Sequence, residues 1–251
     1  MLQGRHAVVT GGGRGIGRAV AATLRQSGAV VTVIGRHEKP LVDAISQGDA
    51  SSYQLADVTD EAAIGGAVAR SVVAHGPVDI LVANAGGAEA SPFLAADSSQ
   101  FRRMFELNVL GAVHAIRVVL GPMMSRGFGR VVAIASTAGL KGYRNVSAYC
   151  AAKHAVVGLV RSVALEAVAT GVTVNAVCPG YTDTDMVVES LTRISEQTGR
   201  SREEALSALL RGNPLGRLIT PQEVAAAVLF LCSAQAAAIT GATLPVAGGE
   251  V

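Results

Sequence analysis

The sequence predicts an α/β protein built on one doubly wound parallel sheet with helices on both faces. Three observations carry this. Apolar, β-branched runs recur along the 251 residues with helix-length stretches between them, the alternation expected of βαβ units in a single sheet. The runs contain few polar residues, as strands covered on both faces require. Half of the residues are hydrophobic (50%) and only 16% are charged, enough apolar material for a large core.

The first strand reads over 7–10 and runs into the turn Thr10-Gly11-Gly12-Gly13-Arg14-Gly15-Ile16-Gly17, which opens a helix over 15–27. Strands follow over 30–34 and 52–55, then a helix over 60–75 and a strand over 79–83. A long helix over 99–124 precedes the strand 131–135, and a helix over 147–170 precedes the strand 172–178. The last strand covers 242–246. Residues 183–215 interrupt the alternation. They are polar, partly helical in pattern and follow a strand end, so they read as a substrate lid. Ser201-Arg202-Glu203-Glu204 and Thr220-Pro221-Gln222-Glu223 have the form of capping boxes, the second with proline at the first helical position. No repeat or linker divides the chain, and one domain over 1–251 is expected.

Composition excludes several function classes. With 21 basic and 19 acidic residues the net charge is +2, too balanced for a nucleic-acid surface. Cys150, Cys178 and Cys232 lack metal-ligand spacing and read as reduced thiols of a cytoplasmic protein. The histidines show no ligand spacing either, so no metal is expected. No apolar run approaches the ~18 residues of a membrane span. A strand beginning near residue 6 leaves no room for a signal peptide. Arg126 and Arg130 flank a glycine-containing loop and read as solvated.

The residues that carry chemistry fall into two groups. Gly11, Gly15 and Gly17 sit where a strand turns into a helix. Glycine lets the backbone approach a phosphate closely, and free N–H groups at a helix start favour an anion. The spacing G-x-x-x-G-x-G differs from the commoner dinucleotide fingerprint, and a bare turn or a methyltransferase loop carries similar glycines. At the end of the second strand, where an acid would bond the ribose 2′-hydroxyl of NAD, stand Gly35 and Arg36. Arg36 and Arg14 together would clamp a 2′-phosphate. In the second group, Tyr149 and Lys153 lie four apart on one helix face. A nearby ammonium lowers a phenol's ordinary pKa of about 10 toward neutrality. Ser136 ends a strand shortly before them and can hydrogen-bond a substrate oxygen.

Taken together, these motifs make the chain resemble the short-chain dehydrogenase/reductases over nearly its whole length, and among them the 3-oxoacyl-thioester reductases. The Thr10–Gly17 turn is similar to their nucleotide motif, and Asn84-Ala85-Gly86 to the motif after their fourth strand. The resemblance implies a Rossmann-type fold and a catalytic tetrad of Asn108, Ser136, Tyr149 and Lys153. Tyr149 would pass a proton to the carbonyl oxygen, Ser136 would polarise that oxygen, Lys153 would bond the ribose, and Asn108 would kink a helix and hold a water. Cofactor contacts are implied at Gly11, Arg14, Gly15, Ile16, Gly17, Arg36, Asp57, Val58, Asn84, Ala85, Gly86, Tyr149, Lys153, Pro179, Gly180 and Thr182. The expected activity is interconversion of a ketone and a secondary alcohol, on a 3-oxoacyl thioester, with NADP(H) favoured over NAD(H). A dehydrogenase of a cyclic, aromatic or steroid-like alcohol is the second reading, and a non-catalytic nucleotide sensor or scaffold the third. The resemblance also implies a homotetramer that takes a small-molecule substrate, with no nucleic-acid or membrane partner.

Overall fold

The computed structural model describes residues 1–251, the side chain of Gln197 excepted. Its seven strands are β1 (His6–Thr10), β2 (Val30–Gly35), β3 (Ser52–Leu55), β4 (Ile80–Ala83), β5 (Gly129–Ile134), β6 (Val172–Pro179) and β7 (Thr243–Val246). All pairs are parallel, in the order β3-β2-β1-β4-β5-β6-β7. The chain steps outward from β1 to β3, then returns to β4 on the other side of β1. That reversal makes a Rossmann-type sheet with a switch point between β1 and β4. Ligands of such sheets occupy the crevice beyond the strand ends there.

The helices are α1 (Gly15–Gln26), α2 (Glu38–Ser46), α3 (Glu61–His75), α4 (Ser98–Phe105), α5 (Gly111–Arg126), α6 (Ser147–Ala167), α7 (Asp185–Thr198), α8 (Arg202–Leu210) and α9 (Pro221–Cys232). Side chains alternate across the strands, and this sorts the core into two layers. Val8, Leu81, Val131 and Val174 pack with Ile64, Ile116, Val156 and Val160 of α3, α5 and α6. Val9, Val82, Val132 and Val177 pack with Val20, Leu24, Leu41 and Val228 of α1, α2 and α9. Every residue of β1, β4, β5 and β6 is buried, which is why these strands read as largely apolar runs. Helices α7 and α8 stand apart and share a small cluster of their own around Val187, Leu191 and Ala205.

Several elements differ from the sequence reading. The helix expected over 99–124 is interrupted by a π turn, Glu106–Leu110, between α4 and α5. Helix α2 was not foreseen; it is short, carries Pro40 in its first turn and buries only Leu41 and Ala44. Both capping boxes are formed, Ser201 with Glu204 and Thr220 with Glu223. Arg130 is not solvated. It lies on β5 at 5% exposure, donates to the Gly129 and Gly171 carbonyls, and stacks 4.7 Å from the centroid of Phe128. Two helical stretches, Ser98–Arg126 and Ser147–Thr170, are apolar and long enough to cross a membrane by composition alone. Neither is an unbroken apolar run, because charged residues such as Arg117 and Arg161 are spaced along them. One face of each stretch packs into the core layer beneath β4, β5 and β6, while Phe105, Leu165 and Val168 remain exposed.

Candidate active site

The crevice at the switch point is built on the glycine turn. Gly11 and Gly15 adopt φ of +65° and +49°, a region that L side chains avoid. A Cβ on Gly11 would lie 2.9 Å from Asn84 Nδ2, and one on Gly12 2.5 Å from Val33 Cγ1. A Cβ on Gly17 would overlap the Gly11 carbonyl oxygen and Asn84 Nδ2. Asn84 ties the two strand ends together. Its Nδ2 donates to the Thr10 carbonyl (2.9 Å) and the Gly11 carbonyl (3.2 Å). The backbone N–H groups of Asn84 and Ala85 donate in turn to Thr10 Oγ1 at 3.0 and 3.1 Å. Thr10 therefore organises the site from inside the sheet, a role the sequence reading did not assign. Helix α1 begins here with no side-chain cap and no acid in its first turn, so its N–H groups are left for an anion. Ile16 packs inward from that first turn.

A cleft of about 230 Å³ opens over this turn, lined by Gly13, Arg14, Gly35, Arg36, Val58 and Gly86 among others. Arg36 Nη1 sits 3.7 Å from Asp57 Oδ2, with both side chains well exposed. Asp57 is held in place by Thr59, whose N–H and hydroxyl donate to Oδ1 at 2.9 and 2.8 Å. These bonds and Arg36 outweigh partial burial and hold the carboxyl below its usual range. The uncapped helix start and the glycine turn that tolerates no Cβ fit the pyrophosphate of a nicotinamide dinucleotide, with Arg36 and Asp57 at the far end of the cleft.

Asn108, Ser136, Tyr149 and Lys153 converge on the other end of the crevice. The π turn places Asn108. In a regular helix its N–H would bond the Met104 carbonyl. Here its side-chain Nδ2 takes that partner at 3.0 Å and also donates to the Gly87 carbonyl at 2.9 Å. Gly86 is squeezed between Asn108 and Lys153: a Cβ there would lie 2.7 Å from Asn108 Oδ1 and 3.4 Å from Lys153 Nζ. Lys153 is 4% exposed and donates to the Ile134 carbonyl at 2.9 Å. Burial pulls its ammonium down to about 8. Tyr149 is half-buried beside it, with Nζ 5.7 Å from its ring centroid. Burial pushes the phenol up to about 12, opposed by the neighbouring Ser136 hydroxyl. The chain's own groups thus do not bring the tyrosine toward neutrality as expected, because burial outweighs them and Lys153 Nζ is committed to a carbonyl.

At the end of β6, the Gly180 N–H bonds the Val246 carbonyl, and Thr182, 4% exposed, donates to the Gly180 carbonyl at 3.0 Å. Thr184 then begins α7 close enough to the glycine turn that a Cβ on Gly15 would meet its Cγ2 at 3.1 Å. The segment that starts the candidate lid therefore abuts the phosphate end of the crevice.

A sequence profile described as short chain dehydrogenase matches residues 5–194. The chain belongs to the short-chain dehydrogenase family. It is 38% identical to the 3-oxoacyl-acyl-carrier-protein reductase FabG of Haemophilus influenzae, covering 99% of this chain and 98% of that one. It is 37% identical to a cis-4-hydroxycyclohexanecarboxylate dehydrogenase of Sinomonas cyclohexanicum, covering 98% and 96%. A crystal structure of an actinorhodin polyketide ketoreductase variant with NADPH superposes with a TM-score of 0.94 at 36% identity, covering 100% of this chain and 99% of that one. This short-chain dehydrogenase is thus an oxidoreductase acting between a ketone and a secondary alcohol, with the nicotinamide dinucleotide typical of its family.

One cluster beside the site had no signal in the sequence. Glu250, beyond β7, accepts a hydrogen bond from the Tyr143 hydroxyl at 2.6 Å and pairs with Lys141 at 3.3 Å. Only a pairing across 107 residues reveals it.

Proposed function

We propose that this chain is an NADP(H)-preferring ketoreductase whose natural substrate is a 3-oxoacyl thioester. The observation that carries the chemistry is the convergence of Ser136, Tyr149 and Lys153 beside Gly86 and Asn108, at the open end of the glycine crevice. Gly11, Arg14, Gly15, Ile16 and Gly17 would hold the pyrophosphate, and Arg36, Asp57 and Val58 the adenosine. Asn84, Ala85 and Gly86 would border the nicotinamide half, with Pro179, Gly180 and Thr182 at its carboxamide. When bound, the dinucleotide supplies or accepts the hydride. Ser136 Oγ donates to the substrate oxygen and fixes it. Tyr149 Oη gives that oxygen its proton in reduction and takes it back in oxidation. Burial keeps the phenol protonated, the form needed to act as the acid. Lys153, held by the Ile134 carbonyl, would bond the nicotinamide ribose, and Asn108 would hold its turn open for a water on that lysine. A positioned acid of this kind contributes about 10²–10⁴-fold.

Support for the thioester comes from the kinship with acyl reductases. The dehydrogenase of a hydroxycyclohexane acid keeps cyclic alcohols as the second reading. Residues 183–215 act as the lid of a single domain over 1–251. Exposed Phe105, Leu165, Val168 and Phe230 would be covered in a homotetramer, with residues 236–251 at a second interface. The enzyme works in the cytoplasm on a small molecule. The test is a panel of 3-oxoacyl thioesters and cyclic ketones with NADPH and NADH, run on wild type and Tyr149→Phe. The variant loses at least about 10²-fold in turnover and retains cofactor binding. Near-normal reduction by Tyr149→Phe ends the mechanism, and a preference for cyclic ketones ends the thioester assignment.

A further inference from the structure

The tail after β7 places a carboxylate inside the active-site wall. The Glu250 side chain is 3% exposed. Its Oε1 accepts from Tyr143 Oη at 2.6 Å and lies 3.3 Å from Lys141 Nζ. Lys141 Nζ also donates to the Glu250 backbone carbonyl at 2.8 Å. Tyr143 Oη is 2.7 Å from Thr137 Oγ1. A phenol has one proton, and the carboxylate is the stronger acceptor. Tyr143 therefore donates to Glu250, and Thr137 donates to Tyr143. Thr137 follows Ser136 and opens the short turn in which the Ala138 N–H donates to Ser136 Oγ at 3.1 Å. On its other side, Glu250 packs on Gly180. Its Oε2 would lie 3.0 Å from a Cβ there, and that oxygen has no hydrogen-bond partner among the described residues. Tyr181, the next residue, meets Tyr143 edge-on at 6.1 Å between ring centroids.

A buried carboxylate oxygen without a donor destabilises a fold. Such violations of local rules collect where a site needs a group held in place. We propose that Glu250 is a positioning residue of the hydride-transfer site. Through Tyr143 and Thr137 it fixes the turn carrying Ser136, and by direct contact it sets that turn against Gly180. This rests on the reading of Ser136 as the group that holds the substrate oxygen. Lys141 anchors the carboxylate from the solvent side. A side chain at 180 would press on Glu250 Oε2 and on Ala247.

The test uses Tyr143→Phe, Glu250→Ala and Glu250→Gln in the full chain. Tyr143→Phe and Glu250→Ala each lower kcat for ketone reduction about tenfold, a fraction of what a full 1 Å misplacement costs. KM for NADPH stays within about twofold. Glu250→Gln keeps an acceptor for Tyr143 and recovers most of kcat. The double variant Tyr143→Phe/Glu250→Ala is no worse than the poorer single one, because both break one chain of contacts. Independently of activity, hydrogen exchange in Tyr143→Phe speeds up at Gly139, Leu140 and Gly180, and stays unchanged in β1. Multiplicative losses in the double variant overturn the proposal, as does unchanged exchange at those amides, or a Gln variant as poor as Ala. If the wild type reduces no carbonyl at all, the functional reading fails. The exchange data then decide the coupling alone.

Discussion

Replacing Lys153 by methionine should stabilise the protein while abolishing its activity. The lysine is 4% exposed, and its one hydrogen bond among the described residues goes to the Ile134 carbonyl. Burial brings its ammonium from 10.5 to about 8, which corresponds to about 3 kcal/mol of penalty on the charged form. Methionine fills similar volume without charge but leaves the Ile134 carbonyl unpaired, at a cost of about 1–3 kcal/mol. The net gain at neutral pH is at most about 2 kcal/mol, or a rise in Tm of up to roughly 8 °C for a chain of this size. The pH dependence has a definite sign. Below about 8 the lysine is charged in both states, and the folded state bears the whole penalty. Between about 8 and 10.5 the folded protein sheds its proton before the unfolded chain does, so wild-type stability climbs with pH. The advantage of the variant is therefore full at pH 7 and shrinks as pH rises through that window. Thermal melts of both proteins from pH 7 to 10, with turnover alongside, measure it. A variant that melts below wild type at pH 7, or a difference that ignores pH, refutes the idea that burial of this charge is held against stability for the sake of function.

Other substitutions probe the cofactor end and the sheet. Arg36→Ala should cut the NADPH-over-NADH ratio of kcat/KM about tenfold, and Asp57→Asn should raise it, since it removes a negative charge 3.7 Å from Arg36 that would repel a 2′-phosphate; an unchanged ratio in both rejects Arg36 as the phosphate ligand. Gly17→Ala drives a methyl into the Gly11 carbonyl and Asn84 and should cost about 1–3 kcal/mol. Gly65→Ala, with nothing within 4 Å of its Cβ, should add about 0.5–1 kcal/mol. Urea midpoints distinguish the two, and equal effects would contradict the cradle geometry. Burial lowers the pKa of His6 below 6.5, with His75 adding to the effect and the Gly76 carbonyl and Asp79 opposing it. Its contribution is present above pH 6.5 and is lost as pH falls through the folded value. Urea midpoints between pH 5 and 7.5 should decline toward acid in wild type and flatten in His6→Gln; parallel curves would exonerate this histidine.

Much of the molecule is legible in the sequence because its information is local. Buried parallel strands must be apolar on both faces, so β1, β4, β5 and β6 announce themselves. A turn that tolerates no Cβ must be glycine, and Tyr149 and Lys153 share a helix face by their spacing alone. These features determine the fold class, the crevice and the set of residues that meet in it. What only the tertiary structure decides is everything that depends on who packs against whom. The break at Asn108 arises because its amide finds Gly87, 21 residues away, and no helical period records that. The pKa values of Tyr149 and Lys153 follow from burial rather than from their spacing, and they move apart. Arg130, charged and next to a loop in the sequence, is buried because Phe128 and two carbonyls receive it. Glu250 reaches Tyr143 only because β7 lies beside β6, which brings the end of the chain back to the catalytic turn. Short-range chemistry is written in neighbouring residues, whereas electrostatics and long-range hydrogen bonds exist only once the sheet has assembled.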